Sequence, residues 1–226
     1  MLFGEIVEPS TRALIDEDDY PEYVPPTIKW TGDEKTFSDA EILIFIETKR
    51  IQDIFKKFIL QDLKPICSLN NNVLIYKKGK NFIISYTESY DNKDELTTGE
   101  IVVVLENHLM RAKEIYTITS SSLYSYQGDL NRDEVECLFK SICTKNSKNF
   151  DCDRLSSPNF ITGLGADISS YCVYKRMQCS SFILYHKNTD IDTMSSSPVL
   201  ELTKKLTLSP SHHRSKMTVP LSNLYM

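Results

Sequence analysis

The stretch Ile42-Leu43-Ile44-Phe45-Ile46, followed by Lys49-Arg50-Ile51-Gln52-Asp53-Ile54-Phe55-Lys56-Lys57-Phe58, decides the fold. Five consecutive β-branched, aliphatic and aromatic residues leave no polar face. That pattern predicts a strand buried on both sides, in the middle of a sheet covered by helices. After it, Ile51, Ile54, Phe55, Phe58 and Ile59 recur at three- and four-residue steps with charges between them. This periodicity predicts an amphipathic helix from Lys49 to about Gln61, and strand then helix makes an α/β unit.

Downstream of Pro65, Ile66 to Leu69, Val73 to Tyr76 and Phe82 to Tyr86 are three apolar runs of strand length. Lys77-Lys78-Gly79-Lys80 between the last two predicts a hairpin turn, which makes part of the sheet antiparallel. Lys93 to Arg111 suits a helix, although Val102-Val103-Val104 by itself could be a strand. Glu114 to Thr119 should be a strand, and Ser120 to Gln127 a loop without periodicity. Val135, Leu138, Phe139 and Ile142 are spaced as in a short helix or turn. Asn159 to Met177 is in near-helical register and leads to a strand over Ser181 to Tyr185. A last helix is expected over Val199 to Leu206, with Pro198 near its first turn, where a missing N–H costs little. The sum is an α/β fold: a mixed central sheet flanked by helices, in one domain.

That domain is expected to span residues 1–208, with a flexible tail at 209–226. Leu2 to Val7 could form a short strand. Residues 8–27 carry Asp16-Glu17-Asp18-Asp19 and the prolines Pro21, Pro25 and Pro26, the composition of a mobile acidic insert. Folding should resume near Ile28 and Trp30. No internal repeat with a fixed period is present.

Composition narrows function. The 226 residues are 41% hydrophobic and 25% charged, enough apolar material for a substantial core. With 26 Lys+Arg against 31 Asp+Glu the net charge is −5, so there is no basic field for nucleic acid or anionic lipid. The longest apolar runs fall far short of the roughly 18 residues that cross a bilayer, so no membrane span is expected. Met1 to Glu5 has no basic region of the kind a signal peptide needs. These features lead us to expect a chain that stays inside the cell, in the cytoplasm.

The chemistry-bearing motifs are few. Six cysteines lack the C-x-x-C spacing of a structural zinc site and are too sparse for a disulfide scaffold, so reduced thiols are expected. In Asp151-Cys152-Asp153, the neighbouring carboxylates should raise the thiol pKa rather than activate it. Gly163-Leu164-Gly165-Ala166-Asp167 resembles part of a dinucleotide fingerprint. Its third glycine position falls on Ile168, however, and a helix-starting turn accounts for it better. His108, His186, His212 and His213 are not tied by spacing to any nucleophile, and His212-His213 supplies too few ligands for a closed metal site. Neither a cofactor nor a metal is expected.

The tail is the unusual feature. After the polar stretch Ser209 to Lys216 the sequence closes with Asn223-Leu224-Tyr225-Met226, where exposed Leu and Tyr gain nothing from water. Two readings fit: the tail inserts into a partner's pocket, or it folds back onto its own domain.

The ending hydrophobic-Tyr-any residue resembles the motif with which proteasome activators and some assembly chaperones dock between neighbouring subunits of the proteasome α-ring. Other blocks resemble the proteasome assembly chaperone family in the same order. They are Phe3-Gly4-Glu5-Ile6-Val7 with its acidic insert, Pro158-Asn159-Phe160-Ile161, Ser169-Ser170-Tyr171-Cys172 and Phe182-Ile183-Leu184-Tyr185. From Lys49 to Thr144 the likeness extends only to the succession of elements. The resemblance implies a non-catalytic protein that pairs with proteasome assembly chaperone 2 and holds proteasome α-subunits while their ring forms. It extends the expected localisation to the nucleus. It also implies that Leu224 fills the apolar part of an inter-subunit pocket, that Tyr225 supplies a ring and a hydroxyl, and that the Met226 carboxylate meets a lysine. The competing expectation is an α/β enzyme of the phosphorylase or hydrolase type, because such sheets host many chemistries. The low count of 7 glycines and the missing nucleophile motif weigh against it.

Overall fold

A computed structural model describes residues 27–37, 40–61, 63–88, 95–131, 134–144, 147–148, 150–187 and 193–208. The expected strand at Leu2 to Val7, nearly all of the acidic stretch and the whole tail, with Leu224, Tyr225 and Met226, lie outside the described residues.

The strand predicted at Ile42 to Ile46 is present with those bounds (β2, Ile42–Ile46). Its neighbours in chain order are β1 (Trp30–Gly32), α1 (Glu34–Phe37), α2 (Lys49–Phe58), β3 (Cys67–Leu69), β4 (Val73–Lys78) and β5 (Asn81–Tyr86). Then come α3 (Thr98–Val104), α4 (Glu106–Arg111), β6 (Glu114–Ser122), β7 (Cys137–Cys143), β8 (Asp153–Arg154), α5 (Leu164–Tyr174), β9 (Cys179–His186) and α6 (Thr193–Lys205). Among the described residues the strands form one nine-stranded mixed sheet in the order β1-β3-β4-β5-β2-β6-β9-β7-β8. Its centre, β5-β2-β6-β9, is parallel, and β2 sits inside it.

Burial of β2 on both faces follows directly. Leu43 and Phe45 join one core layer, with Ile101 of α3, Leu109 of α4 and Leu164, Ile168 and Cys172 of α5. Ile44 and Ile46 join the other, with Ile51, Ile54 and Phe55 of α2 and Val199 and Leu202 of α6. Alternate residues of one strand thus anchor helices on opposite faces, the arrangement that a run without polar interruption permits. The β4–β5 hairpin closes where Lys78 pairs with Asn81, and Gly79 takes φ +64° in its two-residue turn.

Four local expectations are corrected. Lys93 to Arg111 is not one helix. A capping box between Thr97 and Glu100 starts α3, the poorly helix-forming valine run ends it, and α4 follows after Leu105. β6 continues through Ser120, Ser121 and Ser122, which pair with Leu184, Tyr185 and His186 of β9, before a short 3₁₀ turn at Leu123–Ser125. The helix or turn expected around Leu138 and Ile142 is strand β7. Leu138 packs on the Leu123 and Tyr185 side while Cys137 and Phe139 pack on the other, an alternation that pairing with β9 imposes over the apparent three-residue spacing. Finally, α6 begins at Thr193, so Pro198 lies inside the helix rather than in its first turn. Packing of Val199, Leu202 and Leu206 holds the helix despite the bond that proline cannot donate.

Candidate functional site

Three parallel strands, β5, β2 and β6, end side by side. The chain leaves β2 through α2 on one face and reaches β5. It then returns from β5 through α3 and α4 on the other face to β6. The connection after β2 thus runs toward β5 and the one after β6 toward β9, so the strand order reverses between β2 and β6, and a reversal of this kind opens a crevice at the carboxyl ends of the strands. A cleft of about 700 Å³ lies there.

Glu47, the residue directly after β2, lines this cleft and is 92% buried by its 8% exposure. Its carboxylate accepts the backbone N–H of Leu164 at 2.7 Å and that of Gly165 at 3.3 Å, and so caps the amino end of α5. The helix dipole favours negative charge there. Burial pushes the Glu47 carboxyl above its ordinary value. The hydrogen bonds from Gly165, Thr119 and Leu164 oppose the shift, and repulsion from Glu88 adds to it.

The glycine-rich turn exists for this contact. Gly163 takes φ +74°, and a Cβ there would come within 2.9 Å of Glu47 Oε2. At Gly165 a Cβ would meet Glu47 Oε1 and Thr117 Oγ1, both at 3.2 Å. The turn starts a helix, as the sequence indicated. The position at which a dinucleotide fold holds phosphate is filled by the protein's own carboxylate.

The remaining walls are polar and tied together. Thr48, a β-branched residue, is held at φ 66°, and its hydroxyl lies 2.8 Å from that of Ser120. A positive φ at a β-branched residue costs energy and marks a position fixed by its surroundings. Gln52 of α2 donates to the Tyr86 carbonyl at 2.5 Å, tying that helix to the end of β5. On the opposite side, Asn159 donates to the Gln127 carbonyl at 2.7 Å and accepts the Gln127 N–H at 2.8 Å. These bonds fix the segment that carries Phe160, whose ring is 69% exposed at the cleft.

Chemically the cleft offers hydroxyl and carboxylate oxygens. Four of its hydroxyls pair off, Thr48 with Ser120 and Ser121 with Ser125, while Thr119 bonds Glu47 and Thr87 meets the Gln52 amide. Among the described residues no histidine lines it, and no group of His, Cys, Asp and Glu side chains is arranged to hold a metal. The six cysteines are unlinked. The Cys152 thiol is pushed up chiefly by burial, with Asp153 adding to the shift. Among the described residues no helix is long and apolar enough to cross a membrane.

Sequence reasoning placed its site on Leu224, Tyr225 and Met226, which the described residues do not include. It missed Glu47. The signal was a carboxylate immediately after the most apolar strand, at the strand end where α/β sheets form sites. One block that carried the family resemblance, Pro158 to Ile161, supplies Pro158, Asn159 and Phe160 to the cleft wall.

No protein-family model matches the chain, and no curated protein sequence matches it. Solved structures do. Pyrococcus furiosus PbaA, described as an archaeal homolog of proteasome-assembly chaperone, superposes with a TM-score of 0.55 at 12% identity, covering 80% of this chain and 82% of its own. A Thermoplasma acidophilum protein of unknown function gives a TM-score of 0.52 at 13% identity over 74% and 76% of the two chains. At such identities the likeness is one of architecture: the chain has the α/β fold of PbaA.

Proposed function

We propose that this chain is a non-catalytic chaperone of proteasome assembly, acting as proteasome assembly chaperone 1 does. In this reading it pairs with proteasome assembly chaperone 2 and holds proteasome α-subunits during formation of the α-ring, in the cytoplasm and nucleus. The observation that carries the proposal is a coincidence of two independent likenesses. The described domain has the PbaA fold, and the sequence closes with the hydrophobic-Tyr-any motif of proteins that dock on the α-ring.

In this reading the tail docks by burying Leu224, by ring and hydroxyl contacts of Tyr225 and by pairing of the Met226 carboxylate with a lysine. A Leu-sized side chain contributes on the order of 1.5–3 kcal/mol and a charge-assisted contact about 1.5–3 kcal/mol. Ordering the tail offsets part of this, so the tail by itself binds weakly. A second contact made by the domain or its partner raises the tail's effective concentration.

The test is a pull-down from cell extract with the full chain and with one lacking Leu224, Tyr225 and Met226. The expected result is recovery of α-subunits and a second α/β chaperone, with α-subunit recovery reduced by the truncation. Recovery of neither by the full chain would overturn the assignment.

A further inference from the structure

The cleft at the ends of β2, β5 and β6 has an interior that the tail-docking reading does not use. Its floor holds a buried carboxylate, Glu47, fixed by the α5 amino end. A carboxylate has about four acceptor positions, and the bonds from Leu164, Gly165 and Thr119 occupy three. Glu88, which is exposed, and Asp53 line the same cleft. Between floor and mouth the hydroxyls of Ser120 and Ser121 add further acceptors, and the exposed ring of Phe160 forms one side.

Carboxylates that line one cleft attract a cation into it. Acceptor oxygens on several sides suit a donor with several N–H groups, and a bare aromatic face suits one that is flat. A guanidinium satisfies all three requirements, with five donors in a plane that stacks on aromatic rings. Lys49 and Lys56 also border the cleft, but both are exposed and on long stems that can turn to water. The lining beyond the floor is largely exposed, with Thr87, Gln127, Pro158 and Thr162 open to solvent. Such a wide mouth admits a side chain projecting from another protein, whereas a small molecule is normally enclosed over most of its surface.

We infer that the cleft receives an arginine side chain of a partner protein, with Glu47 as its buried carboxylate and Phe160 as the ring that covers the guanidinium. This deepens the protein-binding reading above and rests on it.

The test is an NMR titration of the ¹⁵N-labelled full chain with three capped tripeptides, Gly-Arg-Gly, Gly-citrulline-Gly and Gly-Glu-Gly, and with free arginine. The arginine peptide is expected to shift the amides of Thr48, Ser120, Asn159 and Gly163 saturably. Citrulline has the same shape without the charge and should bind about tenfold more weakly, the factor expected for losing one charge-assisted contact. Glu88→Gln, at the exposed mouth, should weaken the arginine peptide several-fold without disturbing the fold. Glu47→Gln should weaken it further, and the Glu88 variant keeps the test valid should Glu47→Gln fold poorly. Equal binding of citrulline and arginine, or shifts outside the cleft, would overturn the inference. Tighter binding of free arginine than of the peptide would overturn its assignment to a partner's side chain. The titration uses purified chain and peptides, so its failure leaves the extract pull-down standing, and failure of the pull-down leaves the titration result standing.

Discussion

The Glu47 carboxylate and the Leu164 backbone N–H meet at 2.7 Å across 117 residues of sequence. One bond thereby joins the end of the central strand to the start of α5, and it does so at the floor of the cleft. The same atoms serve stability and shape: the carboxylate satisfies orphan donors of the helix and sets the charge that a ligand would meet.

Glu47→Ala leaves the Leu164 and Gly165 N–H groups buried without their acceptor. Unfolding free energy should fall by about 1–3 kcal/mol, measured by urea denaturation. Glu47→Gln keeps one acceptor oxygen and should lose less.

Glu47 also leaves a signature in pH. Its folded pKa lies above its ordinary value of 4.5, so between the two the folded state binds more protons than the unfolded. Its contribution to stability is therefore full below about 4.5 and is lost as pH rises through the raised folded value. Subtracting the stability profile of Glu47→Gln from that of the unsubstituted chain should give a difference that declines with rising pH across this window. A difference that rises there would contradict the raised pKa.

Gly163 has φ +74° and faces Glu47 Oε2, so Gly163→Ala meets both backbone strain and a contact at 2.9 Å. The expected cost is about 1–3 kcal/mol by denaturant unfolding. Gly99, where a Cβ meets nothing within 4 Å, is the control: Gly99→Ala inside α3 should be neutral or slightly stabilising.

Phe182 stacks on Phe139 at 5.7 Å and meets Phe150 edge-on at 5.3 Å, fully buried in the layer shared by β9, α2 and α6. Phe182→Ala should cost about 3–5 kcal/mol, and Phe182→Leu clearly less, in the same unfolding assay.

Much of this architecture is legible in local pattern. Ile42 to Ile46 shows its burial because every residue is apolar, and Lys49 to Phe58 shows its helix because the charged positions interrupt the apolar ones with helical period. Leu138 and Phe139 misled because adjacent apolar residues on opposite faces of a strand also sit three or four places from other apolar residues. Pairing with β9, a contact made far along the chain, settled β7, and no local pattern encodes it. The cleft was illegible for the same reason. Glu47, Ser120 and Phe160 come from three distant segments, and each in isolation is an ordinary polar or loop residue. Leu224, Tyr225 and Met226 lie outside the described residues, and the role proposed for them rests on the resemblance alone.

Participation in α-ring formation, the role proposed above, is best checked by reconstitution. Proteasome α-subunits would be co-expressed with proteasome assembly chaperone 2, with and without this chain, and the products resolved by native gel and mass spectrometry. The chain is expected to raise the yield of α-rings, to be found bound to them before the core particle matures, and to lose most of that effect when Leu224, Tyr225 and Met226 are removed. An α-ring yield unchanged by the chain, with no chain bound to any α-subunit intermediate, would contradict it.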